Sequence, residues 1–314
     1  MEMLMDPAPS ADALALAASV RDYLAETHGP DVLRRLDAGS RRDPAIWQGL
    51  VAMGLPGLLV PESAGGLGLG LVEAALIAAE CGRACLAEPL VDTAFIAVPW
   101  LLADADHAVL ADIASGNRTI PLPHAVNPWV SDGEGVGLES VDPLRRLTPA
   151  PAHVAADAVL LNLGALMTAA QLIGLAEAMQ DQAVAYAKLR EQFGQPIGAF
   201  QAIKHQLASC AVAIEFAKPV VWQAAAAMAA GRPSAAIHVG HAKLAAGDAA
   251  WAMAETAIQV HGAMGYTYEV DLHFWMKRTW ALCGAWGNRA FHLARLDDAI
   301  LGGSHPIGPE HTFT

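Results

Sequence analysis

A mainly α-helical fold is predicted for this 314-residue chain by three observations: alanine and leucine dominate its 54% hydrophobic residues, aromatics are only 6%, and apolar residues recur at helical spacing over most of its length. Glycine and proline gather at a few places, so helices should outnumber strands. With only 16% charged residues the chain can bury a large core. The pattern divides into an N-terminal helical domain over 1–104, a short β-type middle region over 105–155, and a C-terminal four-helix bundle over 156–314.

The elements follow in order. A-D-A-L-A-L-A-A-S-V-R-D-Y-L from Ala11 spaces its apolar residues at three and four, and Asp43-Pro44 marks the start of A-I-W-Q-G-L-V-A-M-G-L. A loop with four glycines, V-P-E-S-A-G-G-L-G-L-G from Val60 to Gly70, precedes a helix expected to close at Gly82. Between 105 and 155, R-T-I-P-L-P and G-V-G-L-E-S-V are the candidate strands, marginal for an independent sheet. Four long helices are expected after that, over 157–190, 200–230, 234–261 and 271–301. Pro219 should kink the second, and Gly231-Arg232-Pro233-Ser234 reads as a stop followed by a serine N-cap.

The charge and the termini exclude several classes. A net charge of -13 with a pI near 5.3 repels a phosphate backbone or an anionic bilayer. Cys81, Cys85, Cys210 and Cys283 form no C-x-x-C pair and read as scattered reduced thiols, which favours the cytoplasm. The first ten residues carry acids where a signal peptide needs basic ones. Ala158 to Ala176 is uncharged but holds Asn162, Thr168 and Gln171 and lacks basic flanks, so it reads as a core helix rather than a membrane span. His238 and His241 lie three apart without a third ligand, and His124 and His153 have no evident partner. Four of the eight tryptophans fall between Trp251 and Trp286, where core or subunit interface suits them better than a ligand cage.

Three segments carry a resemblance. W-Q-G-L-V-A-M-G-L-P-G-L-L-V-P-E-S-A-G-G-L-G-L-G, Y-A-K-L-R-E-Q-F-G-Q-P-I-G-A-F-Q-A-I-K-H-Q-L-A from Tyr186, and Q-V-H-G-A-M-G-Y-T-Y-E from Gln259 together resemble the acyl-CoA dehydrogenase family. On residue chemistry alone, Arg190 offers a planar donor fork suited to a diphosphate, Phe193 a flat apolar surface, and Gly194 a turn. The resemblance implies that FAD is the cofactor and that Arg190, Phe193, Gly194 and Gln201 reach across a subunit interface to it. It also implies that Gln259, His261, Gly262 and Ala263 approach its adenosine and diphosphate end. Taken singly, these residues read as an ordinary helix end and an ordinary helix connection; their joint occurrence carries the expectation.

The same resemblance shows what is lacking. The family reaction needs a carboxylate to remove the substrate α-proton while a hydride passes to the flavin. Counting from the signatures puts Trp286 at the usual glutamate position, and Gly164 and Ala165 at the alternative one. Most of the middle β domain also looks deleted. The resemblance is thus to the short non-catalytic subunit of actinobacterial heteromeric (α2β2) enzymes that shorten steroid side chains. Its partner would be a homologous full-length acyl-CoA dehydrogenase subunit that holds most of the flavin and the acyl-CoA. Two other readings stand beside it: a self-contained homo-oligomer with Glu269 or Asp271 as base, and a flavin-free scaffold built on the helical bundle.

Overall fold

The computed structural model describes residues 8–102, 106–154, 156–306 and 308. Met1 to Pro7 of the N-terminal stretch, and the residues at the 104/105 and 155/156 boundaries other than Ala156, lie outside them.

Local sequence explains most helix starts. Ser10 caps α1 (Ala11–Thr27) by accepting from the Ala13 N–H, and Asp43 caps α3 (Pro44–Ala52) with proline in its first turn. Between them runs α2 (Pro30–Asp37), and after the glycine-rich loop comes α4 (Leu71–Arg83). A wide π-helical stretch, Val91–Ala97, leads into α5 (Val98–Leu101), and α6 (His107–Ala114) packs back onto the turns after α3.

The expected end of α4 at Gly82 is corrected: the helix continues to Arg83, and Gly82 is a packing residue. A Cβ at Gly82 would lie 2.1 Å from the Gln171 carbonyl oxygen, and one at Gly174 would lie 1.7 Å from that of Ala79. Two glycines therefore let α4 cross α7 (Ala158–Leu189) backbone against backbone. Asp157 caps α7, accepting from the Leu160 N–H at 2.8 Å. The apolar run from Ala158 is buried along most of its length against α4, α9 and α8, the placement expected of a core helix.

The bundle continues with α8 (Gln201–Ala229), which runs through Pro219, and α9 (Ala235–His261). Ser234 does not cap α9. Its backbone is already helical and its buried hydroxyl has no partner among the described residues. The single helix expected over 271–301 is two: α10 (Leu272–Gly284) and α11 (Arg289–Ile300). The break lies where Trp286 and Gly287 adopt φ of 55° and 94°, after which the Asn288 side chain caps α11.

The middle region forms strands in other places than expected. β1 (Trp129–Ser131) pairs antiparallel with β2 (Leu147–Pro149), Val130 opposite Thr148, while both candidate strand segments are irregular. Pro121 and Pro123 have no N–H to offer a ladder. A second small ladder, β3 (Glu191–Gln192) with β4 (Gln195–Pro196), follows α7.

Gly174→Ala should therefore lower unfolding free energy by at least about 2 kcal/mol through overpacking at the α4–α7 crossing. A urea titration would read this as a lowered midpoint at unchanged slope.

Candidate functional site

Antiparallel packing brings the end of α7, the start of α8 and the end of α9 to one corner of the bundle. At Arg190 the backbone leaves the helix while its N–H still donates to the Tyr186 carbonyl. The chain then reverses in the β3–β4 hairpin, whose two turn residues, Phe193 and Gly194, have φ of 55° and 81°. Glycine takes that conformation freely. Phenylalanine does so under strain, yet its ring is 93% exposed and stands at a right angle to the Phe200 ring, with centroids 6.0 Å apart. The strained turn thus displays a flat apolar ring beside the exposed Arg190, and Gln201 opens α8 next to them.

The second signature is held to the first by a stack. The Tyr186 and His261 rings lie 4.2 Å apart at 27°. His261 is buried, its Nδ1–H donates to the Ala257 carbonyl at 2.7 Å, and burial pushes its pKa below the ordinary histidine value. It is a neutral strut between α7 and α9, turned into the chain. Gln259, Gly262 and Ala263 face solvent, and Gly262 ends α9 at φ 61°. Seven of the eight residues singled out in the sequence are thus exposed at this corner, and His261 supports them from inside. Arg190 has no ion pair among the described residues, so its planar fork is available for an anion beside a flat ring, which fits one edge of a flavin dinucleotide.

The two base positions, located independently by counting, meet in space. A Cβ on Gly164 would lie 2.1 Å from the Trp286 ring. Trp286 is only 2% exposed; its N–H donates to Asn127 Oδ1 and its carbonyl accepts from His292 Nε2, both at 2.9 Å. The His124 ring lies 5.5 Å away. Since the Val126 N–H donates to His124 Nδ1, Nε2 carries the proton and donates to the Asp157 carbonyl, the partner the sequence did not reveal. Asn127, which also gave no sequence signal, holds the left-handed Trp286 backbone in place.

Beside Trp286 a polar cavity of about 30 Å3 remains, lined by Glu88, Asp132, Arg278 and Thr168 among others, room for about two waters. The middle region closes it. Buried Asp142 pairs with buried Arg278, which also donates to the Leu86 carbonyl at 2.8 Å, and Arg42 pairs with Asp132 at 2.8 Å. Burial pushes the Glu88 carboxyl up and the His28 imidazole, 3.7 Å from it, down to about 4.

The alternative acids are placed elsewhere. Asp271 accepts from two nitrogens of Arg34 at 2.7 and 2.6 Å, and Glu269 is exposed. His238 is half-buried, His241 and His153 are exposed, and no group of three metal-capable side chains occurs among the described residues.

The family descriptions Acyl-CoA dehydrogenase, N-terminal domain, and Acyl-CoA dehydrogenase, C-terminal domain, match residues 10–108 and 153–301. Acyl-CoA dehydrogenase IpdE2 of Mycobacterium tuberculosis is 32% identical over 296 residues, covering 86% of this chain and 91% of that protein. Among solved structures, the ChsE4-ChsE5 complex from Mycobacterium tuberculosis superposes with a TM-score of 0.82 at 22% identity, covering 96% of this chain and 100% of that one. A Tcur3481-Tcur3483 steroid ACAD variant does so with 0.81 at 24% identity, covering 93% and 98%. These likenesses establish the fold.

Two outcomes follow from this packing. Trp286→Ala should cost about 3–5 kcal/mol, read by urea unfolding, because it empties a closed space. Stability should also fall with pH between about 6.5 and 4. His28 and His292 are both pushed by burial down to about 4, so the unfolded chain takes up their protons first. Each contributes up to roughly 3 kcal/mol at neutral pH that disappears as the pH drops through that window, with Glu88 acting in the opposite sense. Unfolding midpoints measured at pH 7 and pH 4.5 check the sign.

Proposed function

The chain belongs to the acyl-CoA dehydrogenase family, and from that membership we propose that it is the non-catalytic subunit of a heteromeric acyl-CoA dehydrogenase. FAD is the cofactor of the family. When bound, it supplies the acceptor for the hydride that leaves the acyl β-carbon. This chain would hold one edge of it in trans: the Arg190 fork on the diphosphate, the Phe193 face beside it, and Gln201, Gln259 and the Gly262-Ala263 backbone toward the adenosine end. Gly194 gives the turn its shape, and His261 positions α9 through Tyr186.

The observation that carries the reading is the Trp286 ring packed on Gly164. Tryptophan cannot accept the α-proton, and the ring fills the space of both expected carboxylate positions, leaving about 30 Å3 beside it. A partner of the same family, with its own base and a complete middle domain, would bind the acyl-CoA. Exposed apolar side chains on α8, Val212 at 56% and Phe216 at 75%, suit burial against such a partner. For the acyl group, the shortened middle region and the resemblance to short steroid-enzyme subunits favour a steroid side-chain CoA ester. The free thiols favour the cytoplasm. A self-contained enzyme using Asp271 is disfavoured, since Arg34 holds both oxygens of that carboxylate.

Purified alone, the chain should be colourless and inactive. Purified with the acyl-CoA dehydrogenase encoded beside it, it should carry flavin and reduce dye on addition of acyl-CoA, and Arg190→Ala should remove most of the flavin absorbance without dissociating the subunits. A yellow, active chain on its own would overturn the reading, and so would a flavin-free complex.

A further inference from the structure

Away from the flavin corner, one buried lysine has no carboxylate partner among the described residues. Lys243, in α9, is only 4% exposed. Its Nζ donates to the carbonyls of Leu282 at 2.8 Å and Cys283 at 3.2 Å, both in the last turn of α10. Two neutral acceptors offset only part of the cost of taking an ammonium out of water. Burial therefore pushes the amine down to about 8.

The amine is not sealed in the core. It lines a groove of about 740 Å3 bounded by α9, α10 and the start of α11. The walls are aromatic and apolar. Trp251 is 44% exposed, the Trp280 ring lies beside it with centroids 6.4 Å apart and planes tilted by 50°, and Leu244 adds an aliphatic side. Trp251 is held by its Nε1–H, which donates to Glu255 at 2.9 Å, and the exposed Asp248–Arg289 pair stands at the groove's edge. None of the flavin-corner residues lines this groove.

In its neutral form the amine has two hydrogens, and the two carbonyls accept both, which leaves the lone pair uncommitted. A desolvated lysine beside an apolar groove is the arrangement that makes an amine nucleophilic near neutral pH. We propose that Lys243 forms an imine with a flat, apolar aldehyde or ketone seated against Trp251 and Trp280. The Nζ lone pair bonds to the carbonyl carbon while one N–H hydrogen passes to the carbonyl oxygen. That hydroxyl then leaves as water with one proton from solvent, and the resulting iminium keeps its one N–H on the Leu282 carbonyl. Nothing is oxidised or reduced in the step. The inference does not depend on the flavin reading.

The test treats the full chain, and the complex where a partner co-purifies, with 2-naphthaldehyde and cyanoborohydride, which reduces an imine to a stable secondary amine. Peptide mass spectrometry then reads each lysine separately, with the exposed Lys188 and Lys204 as internal references. At pH 8 Lys243 should be labelled at least about tenfold faster than either, because roughly half of it is neutral against less than about 1% of an ordinary lysine. Above that pH the ratio should fall, since Lys243 is already neutral while the references are still losing protons. Trp251→Ala, at an exposed side chain, should slow the naphthaldehyde reaction several-fold and leave that of formaldehyde unchanged. Labelling no faster than the references, or a ratio independent of pH, overturns the inference and makes Lys243 a helix cap only. Protection of Lys243 in the complex overturns it for the assembled protein. Equal effects of Trp251→Ala on both aldehydes overturn the assignment of a flat ligand.

Discussion

The contact between the Trp286 ring and the Gly164 backbone organises this molecule. It needs a residue without a side chain on α7, an indole large enough to fill the opposing space, and a left-handed backbone at Trp286 that breaks α10 from α11. Asn127, His124 and His292 are arranged around it. The middle region is thereby recruited into the core of the bundle. Close packing leaves a space of a water or two where a ligand pocket would have to be far larger.

Backbone strain falls at two contrasting places. Trp286 and Phe193 are both bulky aromatics at positive φ. One is buried and held by hydrogen bonds on either side of its peptide unit, so it is locked into the interior. The other is almost wholly exposed at a hairpin tip, so the same conformation presents a ring outward. The interior is closed while the corner is open.

Ion pairs anchor the middle region to the helices. A short two-stranded ladder cannot hold itself in place. Asp142 on Arg278 and the half-buried pair of Asp132 on Arg42 attach it to α10 and to the N-terminal helices, and removing either partner of the buried Asp142–Arg278 pair would leave an uncompensated charge in a dry site. These pairs span 136 and 90 residues of sequence, and no local pattern marks them.

Much was legible without coordinates. The long helices α7, α8 and α9 and the Asp43-Pro44 start of α3 follow from periodicity and capping chemistry, because those depend on neighbours within a turn or two. Tertiary structure decided the rest. It made Gly82 a crossing point instead of a helix end, turned His261 inward, split the last helix at Trp286, and buried the Lys243 amine against the end of α10. Each depends on which distant segment packs against a residue, and a side chain that looks free along the chain has its conformation set by the space those segments leave.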